Sequence, residues 1–138
     1  MRKNRNFNKL KAFSLAEVLI VLAIIGILIL LALPNLLPLI SKAKSTEAQL
    51  QLEHVYTLEK SYFYIHSAYS SSLDEIGFEH SKLVSQGGQA NYRIEIINAD
   101  MRSFKAKATA IADFDGDGSY NEWEVDHEKT LKWIFHTS

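Results

Sequence analysis

The pattern of apolar and polar positions divides this 138-residue chain into three stretches. Residues 1–12 are polar and basic. From residue 18 to residue 33 every position is apolar or Gly, and the run resumes through Leu36, Leu37, Leu39 and Ile40 after Pro34-Asn35. A helix over residues 18–40 would span roughly 35 Å at about 1.5 Å per residue, enough to cross a bilayer. Pro34 deletes a backbone donor and crowds the preceding turn, so a helix break is expected there. Gly26 lowers the cost of the same event.

Beyond Pro38 the period changes. Ala48, Leu52, Val55, Leu58, Tyr62, Ile65 and Tyr69 recur at spacings of three and four, which predicts one core-facing stripe of a helix over residues 41–69. Lys42, Lys44, Glu47, Glu53 and Lys60 fall on its other faces. Residues 70–90 are polar and broken, and Gly87-Gly88 marks a turn; with no strand-to-helix frame around it, this is not a phosphate cradle. Alternation follows. Tyr92, Ile94 and Ile96 oppose Arg93 and Glu95; Phe104, Ala106, Ala108 and Ala110 oppose Lys105, Lys107 and Thr109; Trp123 and Val125 oppose Glu122, Glu124 and Asp126. Residues 130–135 read as a last strand. The expected fold class is α+β: a long N-terminal helix, apolar in its first half and amphipathic in its second, packed on three or four antiparallel strands.

Charge sharpens this division. Arg2, Lys3, Arg5, Lys9 and Lys11 are five of the 15 basic residues, and residues 1–12 contain none of the 16 acids. Without that leader the chain would be about six charges negative, which argues against general nucleic-acid binding. Positive charge before the apolar run predicts a single span with its N-terminus inside. Cysteine is absent, so neither a disulfide nor thiol chemistry is available.

One acid, Glu17, stands at the edge of the apolar run, where an ionisable group costs about 2.5–3.5 kcal/mol and by default marks function. A signal peptide would need a shorter apolar region with its cleavage site behind it; Ser41-Lys42-Ala43 fits such a site only weakly. A plain signal anchor explains the length and treats Glu17 as an interfacial acid favoured by the helix dipole.

Ala12-Phe13-Ser14-Leu15-Ala16-Glu17-Val18-Leu19-Ile20, after a short basic leader, closely resembles the class III signal of type IV pilins and type II secretion pseudopilins. The resemblance implies removal of residues 1–12 by a prepilin peptidase that cuts between Ala12 and Phe13. It further implies N-methylation of Phe13, and Glu17 as the assembly acid. Gly26 and Pro34 match positions where the family has Gly and Pro and where its helix loosens in the filament. Ala12 departs from the Gly that usually precedes the cut, and slower processing is expected from it. The implied organisation is a leader over residues 1–12, a transmembrane and filament-core helix over residues 13–40, and a head over residues 41–138. Its partners would be itself, other pilins or pseudopilins, the peptidase and an inner-membrane assembly platform. The precursor would sit in the cytoplasmic membrane and the product in a periplasmic pseudopilus or extracellular pilus.

Residues 113–124, Asp-Phe-Asp-Gly-Asp-Gly-Ser-Tyr-Asn-Glu-Trp-Glu, match the EF-hand loop template. Carboxylates stand at positions 1, 3 and 5, Gly at 6 and Glu at 12. The expected ligands of a structural calcium ion are therefore Asp113, Asp115, Asp117, Ser119 through its carbonyl, Asn121 and Glu124. The flanks alternate like strands, so a solvated Asp-Gly hairpin is the alternative, and Glu124 is the least certain ligand. His54, His66, His80, His127 and His136 show no metal-ligand pairing, and no nucleophile motif is present, so an enzyme is not expected. The expected function is a structural subunit of a pilus or pseudopilus. The competing expectation is a monomeric, signal-anchored calcium-binding module displayed outside the membrane.

Overall fold

The computed structural model describes residues 12–134, with Asn35 described through its backbone alone. The basic leader through Lys11 and the expected strand end at Phe135 lie outside the described residues. The chain divides into two compact units between Leu36 and Leu37.

A single helix, α1, runs over Leu15–His66. The helical assignment continues through Gly26, Pro34 and Pro38, so the break expected at Gly26 and Pro34 does not interrupt the helix in this state. Leu15–Pro34 is long and apolar enough to cross a membrane, and none of it is buried within the protein. Such a surface is stable only against lipid or other apolar protein surface.

The second unit is an α+β head. Strands β1 (Tyr92–Ala99), β2 (Phe104–Ala110), β3 (Glu122–Asp126) and β4 (Leu131–Ile134) form an antiparallel meander in chain order. The alternation expected from the sequence holds: Tyr92, Ile94, Phe104, Ala106, Ala108, Ala110 and Val125 are buried on one face. They form one core with Ala48, Leu52 and Val55 of α1 and with Tyr69, Ile76 and Phe78 of the connecting segment. The run of alanines along β2 keeps that strand low, so that large side chains from β1 and α1 can fill the space above it. A bulge between Ile96 and Asn98 shifts the β1–β2 register and leaves Ile97 half exposed.

The helical stripe departs from expectation beyond Val55. The next buried position on α1 is Glu59, not Leu58, and Ile65 is 78% exposed. Ideal helical geometry advances about 100° per residue, so a stripe of alternating threes and fours drifts unless the mean stays near 3.6. The helix also stops at His66, and Ser67 takes a left-handed conformation with φ 55°. Tyr69 is thereby carried into the core from outside the helix.

The segment after α1 contains a short 3-10 turn, Val84–Gln86, closed by Gly87 at φ 81°. Leu83 bridges to Ala90, where the expected turn falls. Two polar clamps tie this segment and β1 to α1. Glu47 accepts hydrogen bonds from the backbone N–H and the side-chain amide of Asn91, both at 2.8 Å. Lys44 donates to Asn91 Oδ1 at 3.2 Å and lies 4.1 Å from the centre of the Phe114 ring.

Candidate functional site

Two sites deserve separate description because they lie in different units. The first is the start of α1. The Ser14 N–H donates to Glu17 Oε2 at 3.2 Å, and the Glu17 N–H donates back to Ser14 Oγ at 3.3 Å. This reciprocal pair is a capping box: it satisfies two of the orphan donors at the helix N-terminus and places the carboxylate where the dipole favours it. The Ser-x-x-Glu spacing before an apolar run is the sequence signal for it. The cap gives Glu17 a partner within its own chain. Phe13 is 82% exposed just ahead of the cap. Ala12 and Phe13 have no regular secondary structure and precede the first helical turn.

The second site is the acidic loop between β2 and β3. Asp113, Asp115 and Asp117 each present a carboxylate oxygen, and these oxygens lie within 4.8 Å of one another. Gly116 and Gly118 take φ of 74° and 88°, a conformation that other residues adopt at a cost, and so fold the loop back on itself. The backbone N–H groups of Gly116 and Gly118 donate to the two oxygens of Asp113, each at 2.8 Å. The Gly118 bond, with help from that of Gly116, holds the Asp113 carboxyl below its usual range. The Ser119 N–H donates to Asp117 Oδ1 at 2.8 Å.

Asp115 also reaches α1. Its Oδ2 accepts from Ser41 Oγ at 3.3 Å, while its Oδ1 is buried without a hydrogen-bond partner. An orphaned buried carboxylate oxygen beside two further carboxylates is costly unless a cation compensates it. The donor set, all hard oxygen, suits calcium.

The remaining expected ligands are not all delivered to the cluster. Asn121 is buried, but its amide donates to Ser41 Oγ at 2.8 Å and its backbone carbonyl accepts from Ala110. Its observed role is to tie the loop to α1. Glu124 lies within β3, in register with Lys107 and Lys132, and its carboxylate sits 3.7 Å from Lys105 Nζ. β3 begins at Glu122, so position 12 of the EF-hand template falls within the strand. The strand-like flanks noted in the sequence are the physical reason.

Beside this loop is a cavity of about 470 Å³ lined by Pro38, Ser41, Thr46, Asp115, Trp123 and Trp133, among others. Trp123 and Trp133 face each other across the β3–β4 pair with ring centroids 6.2 Å apart and an interplanar angle of 15°.

The start of α1 and the head define a class: a chain with an exposed apolar N-terminal helix and an α+β head. Residues 8–33 match the prokaryotic N-terminal methylation motif. The chain is also 36% identical over 100 residues to the type IV major pilin protein PilA of Myxococcus xanthus (strain DK1622), an alignment covering 72% of this chain and 44% of that protein. Over these residues the chain is type IV pilin-like. It spans less than half the length of this curated relative.

Proposed function

We propose that this chain is a structural subunit of a type IV pilus or of a type II secretion pseudopilus, assembled through its N-terminal helix. The observation that carries this reading is the junction Ala12-Phe13-Ser14-Leu15-Ala16-Glu17 placed directly ahead of a 20-residue apolar helix segment with no cover of its own. Cleavage before Phe13 creates a positive amine, and methylation keeps that charge. In a filament of parallel helices, Glu17 of one subunit can neutralise the Phe13 amine of its neighbour in a dry core. Pairing offsets the cost of holding either charge there and selects one axial register. Before assembly, the cap on Ser14 holds Glu17 in place.

Processing is tested by mass spectrometry of the membrane-bound protein. A chain that begins at methylated Phe13 is expected. A chain that retains Met1 would instead support the signal-anchored module. Ala12→Leu should accumulate as precursor, because an extended strand must fit a tight peptidase subsite; normal-size mature protein from that variant would count against class III processing.

We further propose that Asp113, Asp115 and Asp117 hold a structural calcium ion. The buried, unpartnered Oδ1 of Asp115 supports this over a solvated hairpin, which would leave that oxygen uncompensated. When bound, the ion would neutralise the repulsion among the three carboxylates. Ser41 and Asn121 would then act as positioning residues that hold the loop against α1.

A further inference from the structure

Glu59 occupies the core stripe of α1 four residues after Val55, where the pattern calls for a hydrocarbon side chain. It is fully buried, and its Oε2 accepts the backbone N–H of Ser70 at 3.0 Å. Its Oε1 is buried with no hydrogen-bond partner. An ionised carboxylate in this position has one hydrogen bond to offset complete loss of water, which is far from sufficient.

The titratable groups around it are engaged elsewhere. On α1, Lys60 donates to the Tyr69 hydroxyl at 2.8 Å and lies over the Tyr56 and Tyr69 rings. In the following segment, Glu75 accepts from the Ser70 hydroxyl. From the β1–β2 turn, Asp100 accepts the N–H groups of Arg102 and Ser103. From the β3–β4 turn, Lys129 pairs with Glu53 at 2.8 Å. Burial accordingly raises the Glu59 carboxyl to about 7, against the opposing effect of the Ser70 hydrogen bond.

We propose that Glu59 is a proton-controlled latch: neutral, it seats the segment that follows α1, and ionised, it releases that segment. The segment has something to release. It carries Tyr69, Ile76 and Phe78 into the core, and its early backbone is held by the Glu59–Ser70 bond and by the Tyr69 N–H on the Asp100 carbonyl at 3.0 Å. Opening would hydrate Glu59 and bare an apolar strip beside the end of α1, while the β-meander, held by its own ladder, stays closed.

The sign follows from the direction of the shift. A carboxyl raised in the folded state stabilises that state fully below its unfolded value, near 4.5, and the contribution is lost as pH rises through about 7. Amide hydrogen exchange of the full chain in detergent micelles, corrected for intrinsic rates, tests this. Protection of residues 69–78 should fall about tenfold between pH 6 and 8.5, with little change in β1 and β2. In Glu59→Gln, which keeps an acceptor for Ser70 but cannot ionise, the pH dependence should vanish. Equal protection at both pH values, the same loss in Glu59→Gln, or a parallel loss in β1 and β2 would overturn the latch. Should Glu59→Gln fail to fold, carboxyl carbon NMR of the wild-type chain decides. A midpoint near 7 for Glu59 upholds the proposal, and one in the ordinary carboxylate range overturns it.

Discussion

At the scale of single residues, polar side chains tie distant or successive segments of this protein together. Glu47 takes both donors of Asn91, Ser41 bridges Asn121 and Asp115, and Ser14 and Glu17 cap each other. The cap separates two roles of Glu17. In Glu17→Gln the side-chain amide oxygen can still accept the Ser14 N–H, so helix start and membrane insertion should persist, and insertion should improve as a charge is removed. Neutralisation of a neighbour's Phe13 amine, by contrast, is lost. Sheared-filament yield from cells expressing only Glu17→Gln should therefore fall to a small fraction of wild type, while the amount of processed protein in the membrane is unchanged. Wild-type filament yield would refute the charge pairing. The sequence singled out Glu17 and the three aspartates because each breaks a local pattern, and Phe13 through the resemblance of its surroundings to the class III signal. It did not disclose Glu59. A single acid within an amphipathic stretch looks solvent-facing until the phase of the helix is known.

Among the elements, β2 is the one whose composition dictates the packing. Ala106 and Ala108 are fully buried in the middle of the sheet, paired with Ile96 and Ile94 of β1 and with Val125 and Trp123 of β3. Ala108→Leu would add three carbons where the facing space is already filled, at a cost of about 1–3 kcal/mol. For a head of this size that should lower the thermal midpoint by roughly 4 °C or more. An unchanged midpoint by circular dichroism would mean that the core above β2 has slack. Strand positions were legible because a period of two tolerates no drift: one residue of slip would reverse every side chain. The helix was legible in its existence but not in its phase or its end. Nothing local in Ile65-His66-Ser67 announces a stop, and Ser67 adopts its left-handed conformation without glycine's freedom. The contacts of Tyr69 outside the helix provide the compensation.

Taken as a molecule, the head has no covalent staple, since cysteine is absent. Its acidic loop is joined to α1 through Ser41, which contacts Asp115 and Asn121. Calcium should therefore act on the stability of the head as a whole. A ligand present at 100 times its dissociation constant stabilises by about 2.7 kcal/mol, which should raise the midpoint of a domain near 100 residues by roughly 10 °C. The full chain in detergent, melted with EDTA and with added calcium, gives that difference. Asp115→Ala should abolish it, and Glu124→Ala, which alters a residue paired with Lys105, should preserve it. Identical melts with and without calcium would leave the loop as a solvated hairpin. The EF-hand template found the cluster from spacing alone; position 12 falls within β3, and a loop template carries no information about the strand that ends it.

Trp123 and Trp133 are the only tryptophans in the sequence, and both stand on the wall of one cavity beside Asp115. Optically, the protein therefore speaks from a single place. Emission excited at the red edge of the indole band originates on the wall of the cavity that Asp115 also lines, and the stacked pair makes its intensity sensitive to small changes in their separation. The apolar half of α1 contributes nothing to that signal. Indole fluorescence follows the head and its loop even in a membrane or a filament, where the surrounding helices would dominate any far-ultraviolet measurement.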